Sequence, residues 1–535
     1  MSFSSISSSF ISACGNPSSI VPLGIKDTIN AVGSIATSNS AGGLIEAKDR
    51  AIDEFGTQFI WLFGLPICKK AFDKTVYKLA KQDPGVDIRL FTKAPKEVLK
   101  FAVENAPNDA VKKSIEAAKN NEKKFKALFG SKFVFATIAT ALMYKATANL
   151  RNIITKHNVA KKIKDQNEHT GTKSETPNGQ VSFQGGITHA IQDFALDPVK
   201  NMMLIDGAIT ASRLTESRNK SEFLEFALSE GSFWVFMYGL NTPVLNGLQK
   251  ASDKWGHLPI NLDIRVLNSK DFKEGIKNGN LEKDIKAFND ATKTLTDIDL
   301  VKKAVKEGKL EDFIKNNPEN NLIKSLKDKS VKKVDENAFK KFMQKHKGLD
   351  KIDLTKYLNI SSDELKTLEA NAEVDVLKFL KEKPDNLVVK FAQNTDIISN
   401  FMESKSLKEK FKHIFKPESS SGESFFERVK TAFKSTDTGK LDTSQFIDMK
   451  ELRTLSDDLN DYYTKCKKTG TSDNIIDSFV KKSKRNKIGV VMSTMALSCV
   501  VLGFVVPHFR IWLREKMQGS KEFHVANDYQ KQLQA

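Results

Sequence analysis

Four apolar segments stand out in the pattern of hydrophobic and polar positions along the chain. The longest is an uncharged run at residues 488–509, which follows a cluster of lysines and an arginine. Because a helix rises about 1.5 Å per residue, this run can cross a hydrocarbon core about 30 Å thick. We therefore predict a transmembrane helix within 481–513. The other apolar segments cover 55–68, 131–150 and 231–249.

Two of these segments carry the same motif. Residues 59–65 match residues 234–240 in character at every position, and each stretch includes a glycine. An Asp-Ile-Arg sequence begins 23 residues after that glycine in the first copy and 24 residues after it in the second. Preserved spacing together with preserved character favours a duplicated unit. The repeated positions are Gly64, Asp87 and Arg89 in the first copy and Gly239, Asp263 and Arg265 in the second.

The repetition predicts an all-α protein made of two hydrophobic helix pairs. The first pair lies within 44–164, and the second begins within 187–266. A large lysine-rich insert separates the two apolar helices of the second copy, and its apolar positions recur with helical spacing. Capping sequences such as Ser361-x-x-Glu364 divide this insert into short helices. The remaining parts are a leader (1–43), a polar linker (165–186), the insert (267–480) and a polar tail (514–535).

The leader, residues 1–43, is rich in serine and carries no charge before Lys26. It lacks both the basic region and the continuous apolar region of a secretory signal. We expect it to be disordered. The segment 202–214 is apolar but interrupted by Asp206 and Arg213, so we expect an amphipathic helix that leads into the second copy.

Charged residues flank the apolar segments unevenly. Acids precede the first segment of each pair, whereas lysines follow it and precede the second segment. Lysine and arginine beside membrane spans stay on the cytoplasmic side, so the pattern predicts that both inserts lie inside. Arg151, Arg510 and Arg514 follow the second segments, and we expect such residues to face outward or lie along the headgroups. The helix dipole of a soluble protein favours a similar distribution of charge.

The net charge narrows the choice of partners. Lysine and arginine total 84 against 66 acids, which gives a formal charge of +18 and favours anionic partners. Nucleic acid is disfavoured because the basic residues alternate with acids and do not interleave with aromatic residues. We therefore predict a lipid bilayer with anionic headgroups as one partner. A protein partner bound through 267–480 is the second prediction.

Sequence motifs for catalysis are absent. The chain has no His-Glu-x-x-His, no phosphate-binding glycine loop and no nucleophile elbow, and its histidines and four cysteines lack metal-ligand spacing. Residues 434–445 resemble a calcium loop, but Lys434 occupies the first ligand position, so we expect a polar turn. No catalytic, cofactor or metal site is expected.

These patterns favour a non-enzymatic, membrane-associated helical scaffold or interaction protein. A transport or membrane-remodelling protein that acts through the duplicated hairpins is the first alternative, and a soluble all-α effector with buried apolar helices is the second. The two Asp-Ile-Arg sequences fit matching sites at a repeat interface, as in duplicated transporters. A helix cap with a surface ion pair explains them more simply, and we favour that interpretation.

Overall fold

The all-α prediction is confirmed by the structure, a computed structural model. Within the residues that it describes, helices dominate, and the β-structure consists of an isolated bridge between Val331 and Leu358. The described residues are 3–16, 19–166, 197–215, 217, 220–256, 258–326, 331–332, 353–398, 441–519 and 521.

Several sequence predictions fall wholly or partly outside these residues. Most of the linker at 165–186, the first part of the calcium-loop-like stretch at 434–440 and most of the tail beyond 521 are not described. Of the tail, residues 514–518 belong to a helix.

The helices of the first half of the chain alternate between long and short. They are α1 (Phe3–Gly15), α2 (Val21–Phe59), α3 (Leu65–Phe72), α4 (Arg89–Thr92), α5 (Lys96–Glu104), α6 (Asp109–Asn120), α7 (Glu122–Gln166), α8 (Pro198–Thr215), α9 (Lys220–Trp234) and α10 (Asn241–Gly256). The π-helical segments Ile60–Gly64, Asp73–Tyr77 and Val235–Gly239 lie between some of them.

The second half consists of shorter helices until the last segment. They are α11 (Ile264–Asn268), α12 (Lys270–Lys277), α13 (Asn280–Ala291), α14 (Lys293–Glu307), α15 (Leu310–Asn316), α16 (Asn321–Ser325), α17 (Ser362–Glu382), α18 (Leu387–Asn394), α19 (Met449–Thr469), α20 (Asp473–Val500) and α21 (Val506–Gln518). A 3-10 turn, Leu354–Lys356, precedes α17, and a π-helical segment, Val501–Val505, joins α20 to α21.

The chain divides into two compact units. The insert unit contains 1–6, 83–122 and 261–484, and the apolar unit contains 7–82, 123–260 and 485–535. Both stretches that separate the apolar helices therefore belong to one unit. The sequence pattern, in contrast, predicts them as parts of separate domains.

The prediction of a disordered leader over 1–43 is wrong. Residues 3–15 form α1, and α2 begins at Val21. Leu23 and Ala31 are buried, and Lys26 Nζ donates to the Phe236 carbonyl oxygen at 3.4 Å. Serine and glycine lower the helix propensity of this stretch, but they also allow close packing against neighbouring helices, and here packing outweighs propensity.

Two helical segments of the apolar unit approach closely where α2 passes the π-helical segment Val501–Val505. A Cβ atom at Gly33 would overlap the carbonyl oxygen of Gly503, and a Cβ at Gly503 would lie 2.6 Å from Ile29 Cγ2. Two glycines therefore face each other at a crossing that leaves no space for a side chain.

Both copies of the repeated motif have the same local conformation. The π-helical segments Ile60–Gly64 and Val235–Gly239 occupy matching positions of the motif and end at the repeated glycines, Gly64 and Gly239. Single π-turns are rare and concentrate at functional sites. The shared conformation agrees with a duplication, which remains a prediction.

The core of the insert unit is apolar, and its short helices are capped as the sequence predicts. Ser361 accepts from the backbone N–H of Glu364, whose carboxylate accepts from Ser361 in return, so the predicted capping box is confirmed. Residues 276–285 and 305–314 have similar sequences, and Gly279 and Gly308 occupy equivalent places in them. Both glycines adopt positive φ at helix junctions. These left-handed positions favour glycine because it has no Cβ.

A second repeated contact in the insert unit holds one helix start against another helix. Asn320 donates to the carbonyl oxygen of Asp297 at 3.0 Å, and the Asp297 carboxylate accepts from the next backbone N–H, that of Asn321. Asn386 and Asp284 make the same pair of contacts, at 3.0 and 2.9 Å. Each asparagine also caps its own helix.

The glycine crossing generates a first prediction. Gly33→Ala should lower the free energy of unfolding of the full chain by about 1–3 kcal/mol, because the added methyl group forces the two helices apart. Thermal unfolding of the purified chain in detergent measures the change. Gly247→Ala is the matched control, since a Cβ at Gly247 meets nothing within 4 Å. An equal loss of stability in both variants would contradict the close crossing of the two helices.

A second prediction concerns Glu373, which lines a small cavity with Phe101 and Leu377. Burial raises the pKa of Glu373 from 4.5 to about 7, and the carboxylates of Glu369 and Asp448 add to the rise. Because the folded state holds this proton more tightly than the unfolded state, stability should fall as pH rises from about 4.5 to about 7.

Glu373→Gln removes this ionisation, so the variant should lose that part of the pH dependence and gain stability at pH 8. Hydrogen-exchange protection of α17 in the full chain, measured between pH 4.5 and 8, reports the effect locally. Glu382→Gln changes an exposed glutamate of the same helix and should keep the wild-type profile. If Glu373→Gln also kept that profile, the assignment would be wrong.

Candidate functional site

The apolar unit has an unusual distribution of polarity. Thirty of the thirty-two exposed large hydrophobic side chains of the described residues belong to it. Nine carboxyl groups and seven cationic side chains are buried inside the same unit, again counting only described residues. Soluble proteins place these two classes the other way round. Charged groups therefore form much of its interior, and apolar side chains form much of its surface.

Helix α2 shows how the sequence creates this arrangement. Beyond Gly43, where φ is 75° and the helix is broken, Glu46, Asp49, Asp53 and Thr57 recur every three or four residues and are all buried. Such spacing places polar side chains on one helix face. The opposite face carries apolar residues such as Phe59, which is 60% exposed.

Arg514 of α21 makes the most complete ion pair of the interior. Its Nη1 and Nη2 donate to the Glu46 carboxylate at 2.9 and 2.8 Å, and its Nε and Nη2 donate to the Glu225 carboxylate at 2.7 and 2.8 Å. All three side chains are at most 2% exposed. Two bidentate contacts of this kind fix both geometry and charge.

Arg510 lies one helical turn before Arg514 and is 1% exposed. Its Nη2 donates to Ser38 Oγ at 3.0 Å, and its Nε lies 3.9 Å from a Glu225 oxygen. The serines of the supposed leader therefore supply hydrogen-bond acceptors to a buried arginine.

Arg213 of α8 connects three other helices. It pairs through Nη1 with Glu230, and its Nη2 lies 3.1 Å from Asp53 Oδ2 and donates to Thr57 Oγ1 at 3.2 Å. Its Nε donates to the hydroxyl of Tyr144 at 3.3 Å. One guanidinium therefore joins α2, α7 and α9.

Arg151 of α7 extends this cluster. Its Nη1 lies 3.2 Å from Asp53 Oδ1, and its guanidinium lies 5.9 Å from the ring centroid of Phe226. Thr155, one turn further along α7, donates to Asp49 at 2.5 Å. We call the ion pairs formed by Arg50, Arg151, Arg213, Arg510 and Arg514 with Glu46, Asp49, Asp53, Glu54, Glu225 and Glu230 the ionic network.

The network corrects one sequence-based interpretation. Arg151, Arg510 and Arg514 were expected to face outward or lie along headgroups, yet each is buried and lies within 4 Å of a buried carboxylate. These arginines are buried because each forms an ion pair with an acid beside the other apolar segment. The acids that precede the first apolar segment of a copy lie beside the arginines that follow its second segment, as in the Asp53–Arg151 and Glu225–Arg514 pairs.

A small cavity lies beside the ionic network, with a volume of about 20 Å³. Oxygen-bearing side chains form most of its wall, and four of them are carboxyl groups. The lining residues are Asp27, Asn30, Glu54, Thr57, Asp206, Ile209, Arg213, Ser229, Glu230 and Phe233. No group of three or more His, Cys, Asp or Glu in the described part of the chain has the geometry to hold a metal ion.

The repeated Asp-Ile-Arg residues lie in the insert unit and make similar contacts. Asp87 accepts from the backbone N–H of Arg89 at 2.9 Å and pairs with its guanidinium at 2.7 Å. Asp263 accepts from the backbone N–H of Arg265 at 2.7 Å and pairs with its guanidinium at 3.2 Å. Each aspartate therefore combines a hydrogen bond from the backbone N–H two residues on with an ion pair, and Asp263 is also the N-cap of α11.

The electrostatics of these two pairs are also alike. Burial acts to lower the pKa of each arginine, but the surrounding acids together raise it. These acids are Asp87, Asp448 and Glu451 around Arg89, and Asp263 and Asp396 around Arg265. Their further contacts differ, since Asp87 accepts from the backbone N–H of Phe446 while Arg265 donates to Asp396. That these residues form a repeated structural motif remains a prediction.

Comparison with known protein families, with curated proteins and with solved structures found no match to this chain. The interpretation of the site therefore depends on its own geometry.

The residues of the network were not identified as a site from the sequence. A signal existed in the polar stripe of α2 and in Asp206 and Arg213, which interrupt an apolar helix. A polar stripe on one helix is equally typical of a water-exposed face, so its burial cannot be read from spacing alone.

Arg514 provides a third prediction. Arg514→Gln should lower the free energy of unfolding of the full chain by about 3–5 kcal/mol, because Glu46 and Glu225 then remain buried without their main partner. Arg514→Lys should lose less, since it keeps the charge but not the bidentate contacts. Thermal unfolding in detergent or lipid measures both. Arg485→Gln, at an exposed position, is the control. Similar midpoints of thermal unfolding for all variants would refute the role of the network.

Proposed function

We propose that this chain is a non-enzymatic, membrane-embedded helical scaffold whose apolar unit lies in the bilayer and whose insert unit offers a surface to a protein partner. The main support for this proposal is that the apolar unit exposes large apolar side chains and buries charged ones. Exposed side chains such as Leu142, Ile153 and Phe504 are each more than half exposed, while the charged side chains of the network are buried.

Physical chemistry explains why lipid suits this unit. In water, a surface with so many exposed large apolar side chains is unfavourable and prone to association. In a bilayer, the same side chains meet acyl chains, and polar groups must find partners inside the protein. Ionisable residues within membrane helices accordingly face the bundle interior and pair with one another.

Helix length agrees with this proposal. Among the described residues, two helical stretches are long and apolar enough to cross a membrane, Glu122–Lys161 and Asp473–Met517. They include the predicted segments 131–150 and 481–513. The predicted segments 55–68 and 231–249 each contain a π-helical segment, as does the stretch Asp473–Met517 at Val501–Val505.

The insert unit supports the scaffold role. Its core consists of aliphatic and aromatic side chains, such as Leu322, Phe272 and Phe391, and only two large hydrophobic side chains are exposed on its described residues. This is the distribution of an ordinary water-soluble domain. The lysines that flank the apolar segments favour its placement on the cytoplasmic side, near anionic headgroups.

A proton- or ion-coupled transport protein is the second candidate, because carboxyl groups line a buried cavity in the apolar unit. Ionisable groups at such positions often mark ion pathways or proton relays.

The membrane proposal is tested by spin labels in a cysteine-free full chain reconstituted in lipid nanodiscs. Labels at Leu142 and Phe504 should collide with oxygen, which partitions into lipid, and should be shielded from a water-soluble nickel chelate. A label at Leu300, which is 42% exposed in the insert unit, should show the reverse. Free access of the chelate to Leu142 and Phe504 would rule out the proposed embedding.

A further inference from the structure

Asp206 of α8 differs from the carboxylates of the ionic network. It is 8% exposed, and no lysine or arginine of the described residues lies within ion-pair distance of it. Its hydrogen-bond partner is the hydroxyl of Tyr238, a neutral group, which donates to Oδ2. A buried carboxylate without a cationic partner is strongly disfavoured in an apolar surrounding, and uptake of a proton removes that cost.

The charged groups around Asp206 do not supply the missing charge. On α2, Asp27 and Glu54 line the same cavity, and on α9 Glu230 does so. Arg213, on the same helix as Asp206, contacts Glu230 and Asp53. The nearest cation is therefore engaged by other carboxylates, and the neighbouring acids repel a further negative charge.

The balance of buried charges in the whole apolar unit also favours the uptake of a proton. Its nine buried carboxyl groups exceed its seven buried cationic side chains by two. In a bilayer interior, such an excess is relieved by proton uptake or by a bound cation. The described residues contain no metal-holding group of acids, which favours the proton.

The cavity also supplies a partner for a protonated carboxyl. Asn30 is 5% exposed and lines the cavity, and its side chain makes no hydrogen bond to another described residue. A cavity of about 20 Å³ has room for one water molecule, which needs roughly 10–15 Å³. A water held by the Asn30 amide can accept a hydrogen bond from the Asp206 carboxyl while Tyr238 donates to its other oxygen.

We propose that this cavity is a proton-binding site in which Asp206 carries an exchangeable proton at neutral pH. The proton comes from bulk water and converts the carboxylate to a neutral carboxylic acid, with Tyr238, Asn30 and one water as hydrogen-bond partners. The proposal rests on the membrane-embedded role proposed above and adds a ligand to it. It also identifies the residue through which a change of pH would act on the apolar unit.

Infrared spectroscopy of the full chain in lipid nanodiscs tests this directly, because a neutral carboxylic acid and a carboxylate have separate stretching bands. At pH 7 the wild type should show, besides the band of Glu373, a carboxylic acid band that shifts in D2O and disappears in Asp206→Asn. Asp197→Asn, at the partly exposed residue that precedes α8, should keep the band. Tyr238→Phe should keep it at higher frequency, because a hydrogen bond to the carboxyl is lost.

Tyr238→Phe keeps the Asp206 carboxyl. Its band shift therefore still tests the proposal if Asp206→Asn does not fold. If wild type and Asp206→Asn gave the same spectrum, the proton site would be refuted. Loss of the wild-type band when N-methylglucamine is replaced by sodium would also refute it, because a metal cation would then be the occupant. Failure of the chain to enter nanodiscs would instead contradict the membrane proposal, so the two failures are distinguishable.

Discussion

The pairing of buried arginines with buried carboxylates is the constraint on which the rest of the apolar unit depends. Removing an arginine and a carboxylate from water is costly, and only close, well-oriented contacts offset that cost. Arg514 meets this condition through two bidentate contacts, with Glu46 and Glu225. Because these residues come from α2, α9 and α21, the requirement for pairing fixes the relative positions of three helices that are far apart in the sequence.

The same requirement explains the positions of the small residues. An arginine can reach a carboxylate on another helix only if the backbones lie close together. Gly33 and Gly503 create that proximity where α2 passes the segment before α21, and Arg510 then reaches Ser38 of α2. Polar pairing and close packing therefore support each other along one helix contact. The N-terminal residues, which composition alone would assign to a disordered leader, are needed for both.

The sequence predicts part of this structure. The spacing of apolar residues predicts an all-α fold, the repeated motif at Gly64 and Gly239 predicts two similar segments, and Ser361-x-x-Glu364 predicts a capped helix. These features are local, so a short stretch of sequence contains their cause. Asn320 and Asn386 each stand at the end of a Pro-x-Asn sequence, so the similarity of these two sites is also visible in the sequence.

The ionic network and the cavity could not be predicted in the same way. Whether the stripe of Glu46, Asp49 and Asp53 faces water or protein depends on what surrounds α2, and a helical period carries no information about that. The same holds for Asp206, whose lack of a cationic partner follows from the engagement of Arg213 by residues of other helices. Ion pairs between helices depend on the tertiary structure, so the spacing of residues along the sequence does not predict them.

The central claim is that lipid, rather than water, surrounds the apolar unit, and alkaline carbonate extraction of membranes from cells that produce the full chain tests it most directly. High pH strips proteins that are held on membranes by charge but leaves embedded helices in the bilayer. The account predicts that the chain remains in the membrane pellet. Recovery of the chain in the supernatant would contradict it.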